Sequence, residues 1–302
     1  MNKLSCSIIA PVFNEKEGIR EFIHALINQT RTPDEIIIVD GGSKDGAYEY
    51  LQTRAKKGEI RLFQLPCNIA EARNYAINKA KHEIILCTDA GCQVNNDRCE
   101  QLMQIYETTN HKVVGGKSVF ITNNIFQKYA KHRLISPDPN FHIISSRNFS
   151  FYKNARKEVD GYPEYLTKRG EDTYFNYKIK KAGYEIYYCP TAIVQWQMGK
   201  NYKAFYKMFR NYTQGDAEIF FIHKIIQSIS IREAIIFSAF LIFLLFCIIF
   251  FGRYGAWYSI LIIIISILLI GLYKRSPGGF VFDLKFSLIK MFGTTVGFWK
   301  GI

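Results

Sequence analysis

Four short polar clusters recur through the first third of the chain. They are Pro11-Val12-Phe13-Asn14-Glu15, Asp40-Gly41-Gly42-Ser43, Asn68-Ile69-Ala70-Glu71-Ala72-Arg73-Asn74 and Thr88-Asp89-Ala90-Gly91. A carboxylate beside glycines, as at Asp40, suits the imide N–H of a uracil-like base or the hydroxyls of a ribose, because glycine lets backbone approach a ligand closely. Asp-Gly after a strand is also plain turn chemistry. Further on, Gly170-Glu171-Asp172 opens a helical pattern. Acidic residues in a first helical turn are favoured by the macrodipole, so a structural cap is one reading of that pair.

The elements around these clusters are regular. Residues 5–13, 35–39, 60–65 and 83–88 read as strands, three of them continuous apolar runs. Helical spacing appears over 16–29, 44–55 and 70–80. This β-α-β-α-β-α-β order with buried strands predicts a mostly parallel, Rossmann-type sheet covered on both faces by helices. In such sheets ligands bind beyond the carboxyl ends of the strands, where all four clusters fall. A helix after Asp97, a Gly-containing strand at 112–120, irregular chain over 121–145, a strand at 146–152, a helix at 171–182 and a last strand at 184–189 complete the α/β expectation.

Taken in order, the clusters resemble the family-2 glycosyltransferases of the GT-A fold, over roughly residues 5–215. The resemblance implies an inverting transfer of sugar from a nucleotide-sugar donor to an acceptor hydroxyl. It implies that Pro11, Val12, Asn14 and Glu15, with Asp40, Gly42 and Ser43, bind the nucleoside, Asp40 holding the base. Asn68, Ala72, Arg73 and Asn74 would line the nucleotide, with Arg73 facing a phosphate; a solvated helix charge is the alternative for Arg73. Asp89 falls at the family's DxD motif, whose carboxylates hold magnesium or manganese against the diphosphate. Here the motif reads Asp89-Ala90-Gly91, so Asp89 is the one acidic ligand it supplies, with Ala90 beside the donor. The resemblance makes Asp172 the general base and Glu171 a positioning group. Ser146-Arg147-Asn148-Phe149 and Gly161-Tyr162-Pro163 match the acceptor-side stretch. Gln195-Trp196-Gln197 and 210–215 are candidates for the lid and diphosphate-contacting segment, and the QxxRW motif of processive members is absent.

The chain has 302 residues and a net charge of +13. With no arginine-rich arm, zinc-finger spacing or RNA-binding aromatic pattern, the excess points to a membrane surface or phosphorylated substrates rather than nucleic acid. Seven cysteines without CxxC spacing fit a reducing compartment, and no leader pattern opens the chain. The composition shifts near residue 230. A domain over 1–230 and a membrane region over 231–302 follow, with apolar helices at about 234–251 and 257–273 joined as a hairpin. Arg232 and Lys274-Arg275 flank the pair, which puts the first domain on the cytosolic side of an inner membrane. An amphipathic segment at 280–302 lies on or enters the bilayer. A lipid-linked acceptor suits such an anchor. Two other readings compete: a polymer-extending synthase, and an inactive membrane scaffold that binds sugar or nucleotide. No GxGxxG opens the first helix, against a nicotinamide enzyme.

Overall fold

The computed structural model describes residues 4–134, 144–224, 229–272 and 278–302. The first four strands are β1 (Cys6–Val12), β2 (Glu35–Asp40), β3 (Arg61–Gln64) and β4 (Ile84–Cys87). Between them run α1 (Ile19–Ile27), α2 (Ala47–Lys56) and α3 (Ile69–Lys79). These strands pair in parallel in the order β3-β2-β1-β4, with the buried runs β2, β1 and β4 inside and the half-buried β3 at the edge.

The second half of the sheet is mixed. β5 (Cys92–Val94), α4 (Arg98–Thr108) and β6 (Val113–Ile121) precede α5 (Ile125–Leu134). A 3-10 turn at Ser146–Asn148 leads into β7 (Phe149–Tyr152), α6 (Lys153–Glu158), α7 (Glu171–Lys181) and β8 (Ile186–Gln197). The full order is β3-β2-β1-β4-β7-β6-β8-β5. β7 runs antiparallel to both β4 and β6, while β8 is parallel to β6 and antiparallel to β5. The expected mostly parallel sheet flanked by helices is the one observed: β1 to β4 and the β6–β8 pair are parallel, and antiparallel pairing is confined to β7 and β5.

Strand alternation divides the core into two layers. Ile8, Ala10, Ile36, Ile38 and Leu86 pack with Phe22, Ile23, Leu26, Leu102 and Met103 on one face. Ile9, Ile37, Val39, Ile85 and Cys87 pack with Ala72, Ala76, Phe175 and Ile179 on the other.

The described chain forms two compact units. The first comprises 1–121, 138–165 and 171–197; the second comprises 122–137, 166–170 and 198–302. The composition boundary near 230 thus falls inside the second unit. That unit contains α5, α8 (Tyr202–His223), α9 (Ile229–Leu272) and α10 (Gly279–Lys300). α8 starts on Asn201, whose side chain accepts from the Ala204 N–H at 2.9 Å, and ends at Lys224 in the left-handed region. α9 is broken at Gly252, where φ is 53°. Beyond the break, the Ser259 hydroxyl donates to the Leu244 carbonyl at 3.4 Å. Ile231–Gly252 is one helix long and apolar enough to cross a membrane, with mean hydropathy 3.1. Tyr273 and the Lys274-Arg275 flank lie outside the described residues, as does 135–143 within the stretch expected to be irregular. α5 replaces irregular chain at 125–134.

α10 rests on α8 through three glycines. A Cβ on Gly293 would lie 3.1 Å from the Tyr206 carbonyl oxygen; at Gly297 and Gly301 it would collide with the Arg210 and Gln214 carbonyls. Spacing of four residues on both helices aligns the two series.

Candidate active site

β1, β2 and β4 are adjacent and parallel, so the chain leaves all three along one edge of the sheet. The Gly41 N–H donates to the Val12 carbonyl at 2.8 Å, and the Thr88 N–H to the Ile9 carbonyl at 3.1 Å. Asn14 has φ 53°, a conformation asparagine tolerates better than most residues. Its N–H donates to Ser43 Oγ at 2.8 Å, and its Oδ1 accepts from the Lys44 N–H at 2.9 Å. Asn14 and Ser43 therefore lock the β1 exit onto the loop after β2. Gly42, at φ +93°, makes that loop possible.

Asp40 is fully buried. Its Oδ1 accepts from the N–H groups of Gly42 and Ser43, at 3.0 and 2.9 Å, and from Gln64 Nε2 at 3.1 Å. Its Oδ2 is buried and has no hydrogen-bond partner among the described residues. A buried carboxylate oxygen left unpaired is costly, so a ligand donor there would be favoured. Phe13 stands beside this loop, 61% exposed, with its Cδ2 3.4 Å from where a Cβ on Gly41 would be. Phe13 stands in the first cluster without an expected role, because an aromatic that ends an apolar run looks like core, and Gln64 is not expected, because it meets Asp40 only across strands.

Arg73 occupies a different place from a solvated helix charge. It is buried on α3, and its Nη2 and Nη1 donate to Asp89 Oδ1 and Glu171 Oε1, each at 2.6 Å. Burial disfavours the guanidinium charge, but Asp89 and Glu171 outweigh that and hold its pKa well above the usual arginine range. The Tyr162 ring lies 5.3 Å from the guanidinium. Burial, then the neighbouring Asp172 charge, pushes the Glu171 carboxyl above its ordinary value despite Arg73. Asp172 accepts from Ser145 Oγ through Oδ2 and from the Thr173 N–H through Oδ1, both at 2.8 Å. Arg73 thus joins the Asp89 cluster to the Glu171-Asp172 pair.

Other expected residues make contacts within the protein. Asn68 caps α3, accepting from the Ala70 and Glu71 N–H groups, while its Nδ2 donates to the Glu164 carbonyl. Asn74 donates to the Tyr162 carbonyl and Glu164 Oε1, each at 2.8 Å, and accepts from the Tyr162 N–H at 3.0 Å. Ala72 is buried in the core, Val12 likewise, and Pro11 is a strand residue of β1. Ala90 packs partly against the core.

The position of the missing second carboxylate is informative. Gly91 has φ +81°, and a Cβ there would lie 3.2 and 3.3 Å from the two Glu15 carboxylate oxygens. Glu15 thus stands where a side chain at Gly91 would be. Among the described residues no group of three acidic, histidine or cysteine side chains is arranged around a metal position. Magnesium is commonly held by one or two carboxylates plus substrate phosphates and water, so Asp89 and Glu15 are of the donor type that such an ion takes. A hollow of about 440 Å³ lined by Thr30, Gln93, Val94, Asn95, Asn96, Asp97 and Gln195 lies along β5 and β8, and none of these carboxylates lines it.

The pattern of glycosyl transferase family 2 matches residues 7–163, just over half of the chain. The chain belongs to that family. Among its relatives, glycosyltransferase AglE of Haloferax volcanii is 23% identical over 198 residues, 62% of this chain and 65% of the relative. A poly-beta-1,6-N-acetyl-D-glucosamine synthase of Staphylococcus epidermidis is 24% identical over 229 residues, 70% of this chain and 55% of the synthase. The matched part therefore spans under two thirds of these relatives. Two solved family-like structures share the fold. S. aureus TarS 1-349 in complex with UDP aligns at TM-score 0.53 and 20% identity, over 70% of this chain and 64% of that TarS chain. The mannosyltransferase PcManGT of Pyrobaculum calidifontis, in complex with GDP-Man and Mn2+, aligns at 0.54 and 19%, over 70% and 63%. The family's GT-A-like sheet is the one described above.

Proposed function

We propose that this family-2 member is an inverting glycosyltransferase that moves a sugar from a nucleoside-diphosphate donor to an acceptor hydroxyl in polysaccharide assembly. The observation that carries the reading is the unpartnered, buried Oδ2 of Asp40 on the same sheet edge as the Arg73-linked carboxylates. A uracil-like or guanine N–H donates to that oxygen, and the exposed Phe13 ring offers a face for the base. Relatives named as glycosyltransferases, and neighbours holding UDP or GDP-Man, support a nucleotide-sugar donor.

Asp89 and Glu15 would hold a divalent ion, which when bound neutralises charge on the leaving diphosphate. Arg73 orients Asp89 and Glu171 rather than reaching for a phosphate. Asp172 then takes the acceptor proton as the acceptor oxygen bonds to the anomeric carbon and the bond to phosphate breaks, its electrons leaving on the diphosphate. Ser145 holds the Asp172 carboxylate for that role.

The acceptor is best read as a lipid-linked saccharide at a cytosolic membrane face. Ile231–Gly252 spans about 33 Å at 1.5 Å per residue, enough for a hydrocarbon core of about 30 Å. Ile236, Ile242, Ile249 and Phe250 are largely exposed along it, as lipid-facing residues would be. We read the break at Gly252 and the Ser259–Leu244 bond as a return of the chain, in keeping with a hairpin anchor.

A screen of UDP- and GDP-sugars with detergent-solubilised protein tests the reading. Release of nucleoside diphosphate is expected, with Asp40→Asn weakening UDP or GDP binding about tenfold, the scale of one hydrogen bond to a charged group. Nucleotide binding without release under every donor would favour an inactive scaffold instead.

A further inference from the structure

Arg98, the first residue of α4, is fully buried, and its guanidinium takes neutral partners. Its Nε donates to Asn148 Oδ1 at 2.8 Å, and its Nη2 to the Cys87 carbonyl at 2.6 Å. Its Nη1 is buried with no hydrogen-bond partner among the described residues. Burial pulls the Arg98 pKa below the usual arginine range. A buried cation held by neutral groups costs stability that an apolar side chain of similar volume would not. What the bonds join gives the reason for keeping it. Cys87 ends β4, and the chain runs on through Thr88 into Asp89. Asn148 is fully buried as well and closes the 3-10 turn. Its Nδ2 donates to the Lys117 and Ala192 carbonyls, each at 2.9 Å. The β6–β8 register shifts there, between Gly116 and Lys117, so the amide serves acceptors where the ladder is interrupted. A Cβ on Gly116 would collide with that amide. The Asn148 N–H donates to the Ser145 carbonyl at 2.9 Å, and Ser145 Oγ donates to Asp172 Oδ2.

We propose that Arg98 and Asn148 are positioning residues for the reaction: the pair ties the exit of β4, which carries Asp89, to the turn whose Ser145 holds Asp172. This rests on the reading of Asp172 as the base and of Asp89 as a donor-side carboxylate. Neither side chain is exposed, so both act through the groups they hold. The brace complements Arg73. Arg73 joins Asp89 to Glu171 from α3, which packs in one core layer, while Arg98 comes from α4 in the other. A guanidinium suits the task because its planar fork presents fixed N–H groups to two acceptors at once, which a lysine does not copy. A displacement of about 1 Å at a reacting group costs up to about a hundredfold in rate, so the brace need relax little to matter.

The test uses the full chain in detergent with Arg98→Met, Arg98→Lys and Met103→Ala. Methionine keeps apolar bulk and removes the donors, while lysine keeps the charge and reaches one acceptor. Met103 is a fully buried core residue of the same helix, so Met103→Ala destabilises α4 through a cavity alone. Two readouts are followed. The first is hydrogen exchange of the 88–93 and 145–152 peptides, with a β2 peptide as the internal reference. The second is nucleotide release from UDP-GlcNAc, UDP-glucose and GDP-mannose, alongside UDP and GDP affinity in EDTA. Arg98→Met is expected to exchange about tenfold faster in both peptides together, with β2 unchanged. Its kcat is expected to fall about ten- to a hundredfold with nucleotide affinity kept within about twofold. Arg98→Lys is expected to lie between it and the wild type. Met103→Ala is expected to unfold at a lower temperature yet keep kcat within about twofold. A wild-type kcat in Arg98→Met overturns the proposal, as does an equal fall in Met103→Ala or faster exchange in only one of the two peptides. If Arg98→Met does not fold, Arg98→Lys decides by the same criteria. Asp172→Asn is run in parallel. Undiminished release by that variant would remove the base assignment, while the paired exchange would still decide the brace.

Discussion

At the scale of single residues, the site turns on which polar groups the fold has already used. Asn14, Asn68 and Asn74 lie at the expected strand ends, yet each is engaged by backbone or by Glu164. Asp40 keeps one oxygen unpartnered. Gly91 and Glu15 lead to a prediction. Restoring the motif by Gly91→Asp is expected not to raise Mn2+ affinity, because the residue sits at φ +81° and meets the Glu15 carboxylate. It is also expected to cost about 1–3 kcal/mol through that strained backbone. Glu15→Gln is expected to lower Mn2+ affinity about tenfold in the presence of UDP, by loss of one carboxylate. Manganese titration followed by electron paramagnetic resonance reads both, and tighter binding by Gly91→Asp would contradict the account. The sequence motifs place Asp40, Asp89 and the Glu171-Asp172 pair, because each follows a strand or opens a helix. They do not show Glu15 filling the place of Gly91, or Arg73 bridging Asp89 and Glu171. Those contacts join residues far apart in sequence, and no local pattern encodes them.

At the scale of elements, the same division holds. β1, β2 and β4 are readable because buried parallel strands are continuous apolar runs, and α1 to α3 fall between strand signals; β3, Arg61–Gln64, is a half-buried edge strand. β5 has only three residues and carries exposed Gln93 between buried neighbours, too short for any period to register. β8 runs on past Pro190 to Gln197, beyond the strand expected to end at 189, because a proline lacks the N–H that a ladder needs and reads as a strand end. α8 is missed for another reason. Gly215 and the scattered charges of 202–223 interrupt its apolar face, yet Gly215 is required there by the Arg169 carbonyl. On α10, Gly297 is the tightest of the three contact points with α8 that the structure describes. Gly297→Ala is expected to destabilise the second unit by about 1–3 kcal/mol, the usual cost of overpacking. A Gly→Ala change at Gly58, where no atom lies within 4 Å, is the comparison: its cost there is backbone strain alone. Thermal unfolding of both variants, with the larger loss at Gly58, would go against the packing of α10 on α8.

At the scale of the whole molecule, composition marks the apolar run from Ala234 and so sees the membrane-like helix clearly. It does not see that α5 and α8 group with α9 and α10, since their polar residues look like those of the first unit. In the first unit, Glu35 ties several elements together. It accepts from Ser7 Oγ at 2.6 Å and from the Lys81 N–H at 2.9 Å, and pairs with Arg61. Burial alone would raise its pKa, but Ser7, Lys81 and Arg61 together hold it below 4.5. A depressed carboxylate stabilises the fold above its unfolded pKa, and that contribution disappears as pH falls through the lower folded value. Unfolding midpoints measured from pH 6 downward are therefore expected to drop more steeply below pH 4.5 in the wild type than in Glu35→Gln. Parallel curves would remove Glu35 from the acid response. The account as a whole depends on Asp172 acting on the acceptor while Asp40 holds the donor. The most direct measurement is the rate of nucleoside diphosphate release by Asp172→Asn at saturating donor. A fall of at least about a hundredfold, the scale of general-base catalysis, with nucleotide affinity unchanged is predicted. Release at the wild-type rate would contradict it.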